Sequence, residues 1–105
     1  MKNIIFTKNS ENDLKQIFLF NSVSNKSFAK KIHKQIFKEI RVLANFPESA
    51  PLEPLLKHKT EKFRSLVVAD GRYKAIYVVI EEQVIIHIVF DCRRNPADIK
   101  TSSNT

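Results

Sequence analysis

The stretch Lys62–Asp91, KFRSLVVADGRYKAIYVVIEEQVIIHIVFD, decides the fold. It is rich in Val, Ile, Tyr and Phe, types that fit a pleated, half-buried surface, and its apolar residues follow a period of two. Lys62–Val68, Arg72–Ile80 and Val84–Asp91 therefore read as strands. Asp70-Gly71 supplies the first hairpin turn, because this pair tolerates the left-handed backbone that a tight connection needs. Glu81-Glu82-Gln83, too polar for a core, supplies the second. Connections this short join antiparallel neighbours, so the three strands form a meander.

Such a sheet needs cover on one face, and the upstream sequence provides it. Ser10 reads as an N-cap, with Glu11 in the first turn and Asp13 three residues on, acidic groups that suit the helix dipole. Leu14, Ile17 and Phe18 follow at i, i+3 and i+4, so a first helix runs to about Asn21. Asn21–Asn25, NSVSN, is rich in capping residues and breaks it. From about Ser24 to Asn45, Phe28, Ile32, Ile36, Ile40 and Leu43 make one apolar face of a second helix, which Pro47 ends. Helices joined by so short a break form an antiparallel hairpin. Asn3–Thr7 reads as a short strand that pairs into the same sheet, and Phe46–Thr60 as a loop stiffened by Pro47, Pro51 and Pro54. The expected fold class is α+β, in the order β-α-α-β-β-β, with a helical hairpin packed on one face of a small antiparallel sheet and the other face open. Residues 1–97 make a single domain, and 98–105 a polar tail that frays.

Composition narrows the function. A chain of 105 residues is one domain. A single Gly excludes the glycine-rich phosphate loop and the dinucleotide fingerprint. Cys92, the only cysteine, can form no intrachain disulfide and is read as structural. The apolar run near the N-terminus is too short for a signal peptide, and no stretch is long enough to span a bilayer. A cytoplasmic protein without a membrane partner is expected. His33 and His58 lack the Cys or acidic spacing of a metal site, and no metal or cofactor is expected. The net charge of +7 points to an anionic partner. Lys30, Lys34, Lys38 and Arg41 form a stripe on the second helix, read either as a solvated face or as a contact with ribosomal RNA or an acidic protein surface.

Strand parity sorts the sheet into two faces. Tyr73, Ala75, Tyr77 and Val79, with Val84, Ile86, Ile88 and Phe90, are placed under the helices. Lys74, Ile76 and Val78, with Ile85, His87, Val89, Asp91 and Arg93, fall on the open face. A face both apolar and basic suggests a partner surface.

This order of elements, with Phe63-Arg64-Ser65-Leu66, Gly71-Arg72-Tyr73-Lys74-Ala75-Ile76-Tyr77 and Val89-Phe90-Asp91-Cys92-Arg93-Arg94-Asn95-Pro96, resembles the RelE/ParE toxins over nearly the whole chain. The resemblance implies a toxin held inactive by a cognate antitoxin. It leaves two branches: ParE-like members poison DNA gyrase, and RelE-like members cut mRNA in the ribosome. Arg93-Arg94-Asn95-Pro96 is closer to the ParE-type ending. RelE-like nucleases usually place a Tyr a few residues past the last-strand arginine, where this chain reads Pro96-Ala97-Asp98-Ile99-Lys100, and Lys74 stands where they carry a hairpin arginine. The resemblance also assigns Arg64 to the open face. The surface expected to meet the target or an acidic antitoxin is Arg64, Lys74, Ile76, Val78, Val89, Arg93 and Arg94. In the alternative, a ribosome-dependent mRNA endonuclease, the candidates for catalysis are Arg64, Lys74, Arg93 and His87. Arginine forks would hold a phosphate, and His87 would serve as the base.

Overall fold

In the computed structural model, which describes residues 1–99, the chain runs β1 (Asn3–Phe6), α1 (Lys8–Ser24), α2 (Lys26–Arg41), β2 (Arg64–Val68), β3 (Tyr73–Ile80) and β4 (Gln83–Asp91). Tight 3-10 turns occupy Val42–Ala44 and Pro54–Leu56. The order β-α-α-β-β-β is as expected. The sheet order is β1-β4-β3-β2. The meander is antiparallel, but β1 lies parallel to β4, with Asn3 opposite Gln83 and Phe6 opposite Ile86. The sheet is thus mixed, not wholly antiparallel. The helical hairpin is a long crossover, and such a connection, unlike a tight turn, delivers strands running the same way.

The helix boundaries move for local reasons. Thr7, not Ser10, caps α1: its Oγ1 accepts the Ser10 amide at 3.1 Å. Ser10 is buried in the first turn and donates its hydroxyl to the Thr7 carbonyl at 2.9 Å. Asn21 does not break the helix, because its side-chain amide donates to the Ile17 carbonyl at 2.8 Å and to the Tyr73 hydroxyl at 3.1 Å. The break falls on Asn25 alone, whose Oδ1 accepts the Phe28 amide and caps α2. The second helix is correspondingly shorter than Ser24–Asn45 and tightens into the Val42–Ala44 turn.

Two cores flank the sheet. On the helix side, Leu14 and Ile17 of α1 and Ile32, Ile36 and Ile40 of α2 pack with Leu43 on Tyr73, Ala75, Tyr77, Val84, Ile86 and Val89. Each fully buried aliphatic or aromatic side chain there contributes about 1.5–3 kcal/mol relative to exposure. The second face is covered too. Leu56, Phe63 and Ile99 close over Ile76, Val78, Ile88 and Phe90, with Leu55 at the edge. The expected tail is therefore packed at Ile99, which is 0% exposed, while 100–105 lie outside the described residues.

A bulge explains which side chain faces which core. Ile76 pairs with Ile88, but Tyr77 pairs with Ile86, so His87 is an extra residue on β4. An inserted residue reverses the alternation beyond it. Ile88 and Phe90, expected under the helices, point to the second core, and Val89, expected on the open face, points to the first.

Candidate functional site

Ile76, Val78 and Val89 are 0%, 4% and 4% exposed. They belong to the cores and cannot form the apolar part of a partner surface on the free chain. The sequence placed Ile76 and Val78 on the correct face. What it lacked was the cover, because Leu55, Leu56 and Ile99 come from segments without strand or helix periodicity.

The basic residues expected beside them are each held by a separate partner. Arg64 pairs across the sheet with Tyr77 and so belongs to the helix face, not the second one. Its Nη1 donates to the Ala50 carbonyl at 2.7 Å, and its Nη2 lies 3.5 Å from the Glu48 carboxylate. Lys74 lies on the second face with its Nζ 2.7 Å from Oε1 of Glu53, a buried carboxylate that also accepts the Leu55 amide. These bonds hold down the proline-rich loop. Burial pushes the Glu53 carboxyl up, but Lys74 and the Leu55 amide outweigh it and leave the pKa lowered. Glu53 was not singled out in the sequence, since nothing between Pro51 and Pro54 distinguishes a buried acid from a solvated one.

His87 sits at the bulge. Its ring packs edge-on against Phe63, with centroids 5.4 Å apart, and its carbonyl accepts from Thr7 Oγ1 and Asn9 Nδ2, both at 3.2 Å. Burial lowers its pKa, against the opposing pull of Glu61. Burial thus favours the neutral imidazole, the form that a base needs. Among the described residues, however, none of the candidate cations contacts it.

The end of β4 is different. Arg93 forks onto Asp91, with Nε 3.0 Å from Oδ1 and Nη2 2.7 Å from Oδ2. The hydrogen bonds from Arg93 hold the Asp91 carboxyl below its ordinary range. The Arg93 guanidinium also lies over the Phe20 ring of α1, with Cζ 5.1 Å from the ring centroid. Arg94 lies over Phe90 at 5.0 Å and reaches Asp98 at 3.4 Å. Between α1 and this strand end is a cleft of about 350 Å³, lined by Asp13, Gln16, Ile17, Phe20, Tyr73, Val89, Asp91 and Arg94. Asp13 accepts the Val89 amide at 3.0 Å. Its pKa is raised by burial, with the Val89 amide and Arg94 opposing.

Arg93 and Arg94 are thus the expected site residues that stay at the surface, and α1 adds apolar neighbours. Phe20 is 60% exposed and Val23 87% exposed, with Leu19 beside them. A planar cation laid on an exposed ring, next to bare aliphatics, offers both cation–π and apolar contact to a partner. In the sequence, Leu19-Phe20 directly after Ile17-Phe18 makes α1 apolar over more than one stripe, and that excess is the signal for Phe20. Cys92, exposed in the same turn, has its pKa raised by partial burial, so the arginines beside it do not activate the thiol. Among the described residues no helix is long and apolar enough to cross a membrane.

The family model described as "ParE toxin of type II toxin-antitoxin system, parDE" matches residues 4–96. No curated protein matches the sequence. Among solved structures, a chain of the "Chromosomal ParDE TA system from P. aeruginosa" superposes with a TM-score of 0.73 at 17% identity. The match covers 87% of this chain and 96% of that one, and it bears on the fold.

Proposed function

The chain belongs to the ParE toxin family of type II toxin–antitoxin systems, and from that premise we propose that it inhibits DNA gyrase through a protein surface and is neutralised by a cognate acidic antitoxin. The contact surface is the end of β4 with the end of α1: Arg93 and Arg94 for charge, Leu19, Phe20 and Val23 for apolar contact. The net charge of +7 favours an acidic partner in either role.

One observation carries the reading. The cations that a nuclease would converge on a scissile phosphate are dispersed: Arg64 holds the Ala50 carbonyl, Lys74 the buried Glu53, and Arg93 the Asp91 carboxylate. Phosphoester cleavage needs donors preorganised at one point and a base within hydrogen-bond reach. Spread over two faces and already paired, these side chains are better suited to structure and to surface recognition.

Purified toxin should inhibit gyrase supercoiling at near-stoichiometric amounts. His87→Ala should leave that inhibition unchanged. Arg93→Ala with Arg94→Ala, and separately Phe20→Ala, should weaken it while the thermal melt stays close to wild type, since exposed substitutions usually shift stability by about 0.5 kcal/mol or less. Untouched gyrase, together with mRNA cleavage on ribosomes that disappears in His87→Ala, would replace this reading with the endonuclease one.

A further inference from the structure

The cations that the described ion pairs hold all lie outside helix α2. Lys2, Arg64, Arg72, Lys74, Arg93 and Arg94 each lie within 3.7 Å of a carboxylate. Helix α2 is the opposite case. Lys26, Lys30, Lys31, Lys34, Lys38 and Arg41 are all exposed, and among the described residues none is paired with a carboxylate. The one acid of the helix, Glu39, is turned inward, its Oε2 accepting the Ala69 amide at 3.0 Å.

At about 100° per residue these six cations occupy an arc of roughly 140°, directed away from the buried Ile32, Ile36 and Ile40. At about 1.5 Å per residue the array is about 22 Å long. One strand of duplex DNA presents a phosphate about every 3.4 Å of axis, so that length runs past about six phosphates. The face has no apolar centre: every exposed residue of α2 is Lys, Ser or Arg. Protein interfaces are depleted in Lys and bury an apolar core, whereas backbone contacts to nucleic acid are made by such cations. An uncompensated row of like charge repels itself, and a polyanion relieves that repulsion while releasing its own counterions.

We propose that the outer face of α2 docks on the phosphate backbone of duplex DNA without reading its sequence. The choice of DNA among polyanions rests on the gyrase reading; the docking face rests on the placement of charge alone. The two readings fail separately, because DNA binding is measured here without gyrase.

The test is fluorescence anisotropy of the full chain on a labelled 20-base-pair DNA duplex, between about 50 and 200 mM salt. The logarithm of the affinity should fall linearly with the logarithm of salt, with a slope of about −4 to −5 if about five phosphates are neutralised. Lys30→Gln, Lys34→Gln and Lys38→Gln together should make the slope shallower by about three. Lys8→Gln, Lys57→Gln and Lys62→Gln remove the same charge from exposed positions elsewhere and should leave the slope near wild type. No binding at the lowest salt would overturn the proposal, and so would an equal loss of slope in both triple variants. Tighter binding of duplex RNA of the same length, or of poly-L-glutamate, would overturn the assignment to DNA.

Discussion

Lys74 keeps a buried charge soluble inside this protein. The Glu53 side chain is 1% exposed, and its carboxylate is tolerated there because Nζ of Lys74 lies 2.7 Å away and the Leu55 amide 3.1 Å away. Removing one member of a buried pair leaves the other desolvated and alone, a loss of about 3–5 kcal/mol in fully buried cases. The Lys74 side chain is 21% exposed, so water partly replaces it, and Lys74→Ala is expected to cost about 2–3 kcal/mol in urea unfolding. Lys74→Ala with Glu53→Gln should recover much of that loss, since no charge is then stranded. The pair also sets an acid limb. A carboxyl whose folded pKa lies below its ordinary 4.5 binds fewer protons folded than unfolded. Its stabilisation is therefore complete above pH 4.5 and is lost as pH falls through the lower folded value. The Glu53→Gln protein should show a flatter pH dependence in that window. Lys74 was legible in the sequence as a basic residue on the second face. Its partner was not, because a loop fixed by prolines has no period from which to infer burial.

At the scale of elements, richness in Val, Ile, Tyr and Phe between turn residues located the three strands of the meander, but the parity that assigns side chains to faces failed where one residue was added. Nothing in Ile85-Ile86-His87-Ile88-Val89 marks the bulge, because the run is apolar on both parities. A strand covered on both sides carries no alternation to read. The turns show a related gap. Glu81 adopts φ 52° in the connection between β3 and β4, a left-handed conformation that costs a residue with a Cβ roughly 1–2 kcal/mol. Glycine escapes that cost but loses more entropy on folding. Glu81→Gly should therefore stabilise the protein by about 0.5–1 kcal/mol, seen as a rise in Tm of about 2–8 °C. The Lys2 bond survives the change because it is accepted by the Glu81 backbone carbonyl. A lower Tm would show that the turn relaxes elsewhere. The start of α1 makes the opposite prediction. Thr7 Oγ1 accepts the Ser10 amide and donates to the His87 carbonyl, so it joins the helix cap to the bulge. Thr7→Ala should cost about 1–2 kcal/mol, at the upper end for a cap because a second bond is lost with it. Ser10 attracted the N-cap reading because it too is a capping type followed by acids; only the position of β1 decides between them.

The whole molecule is a sheet buried on both faces, and this departs furthest from the open-faced architecture that the sequence suggested. The helix-side core was legible from Ile32, Ile36 and Ile40. The second core was not, because its cover comes from the Pro54–Leu56 turn, from Phe63 before β2 and from Ile99, which lies in a run that reads as a polar tail. Ile99 therefore gives the sharpest test of the architecture. It is 0% exposed and packs in one cluster with Ile76, Val78, Ile88 and Phe90. If that cluster is a true core, Ile99→Ala deletes buried carbon and leaves a void, with an expected loss of about 2–5 kcal/mol. For a chain of this size even about 2 kcal/mol is a large share of the roughly 5–15 kcal/mol that holds a domain folded. Urea unfolding would register it as a lower midpoint at unchanged slope. A midpoint equal to wild type would mean that residue 99 contributes nothing in solution and that the cover of the second face is Leu56 and Phe63 alone.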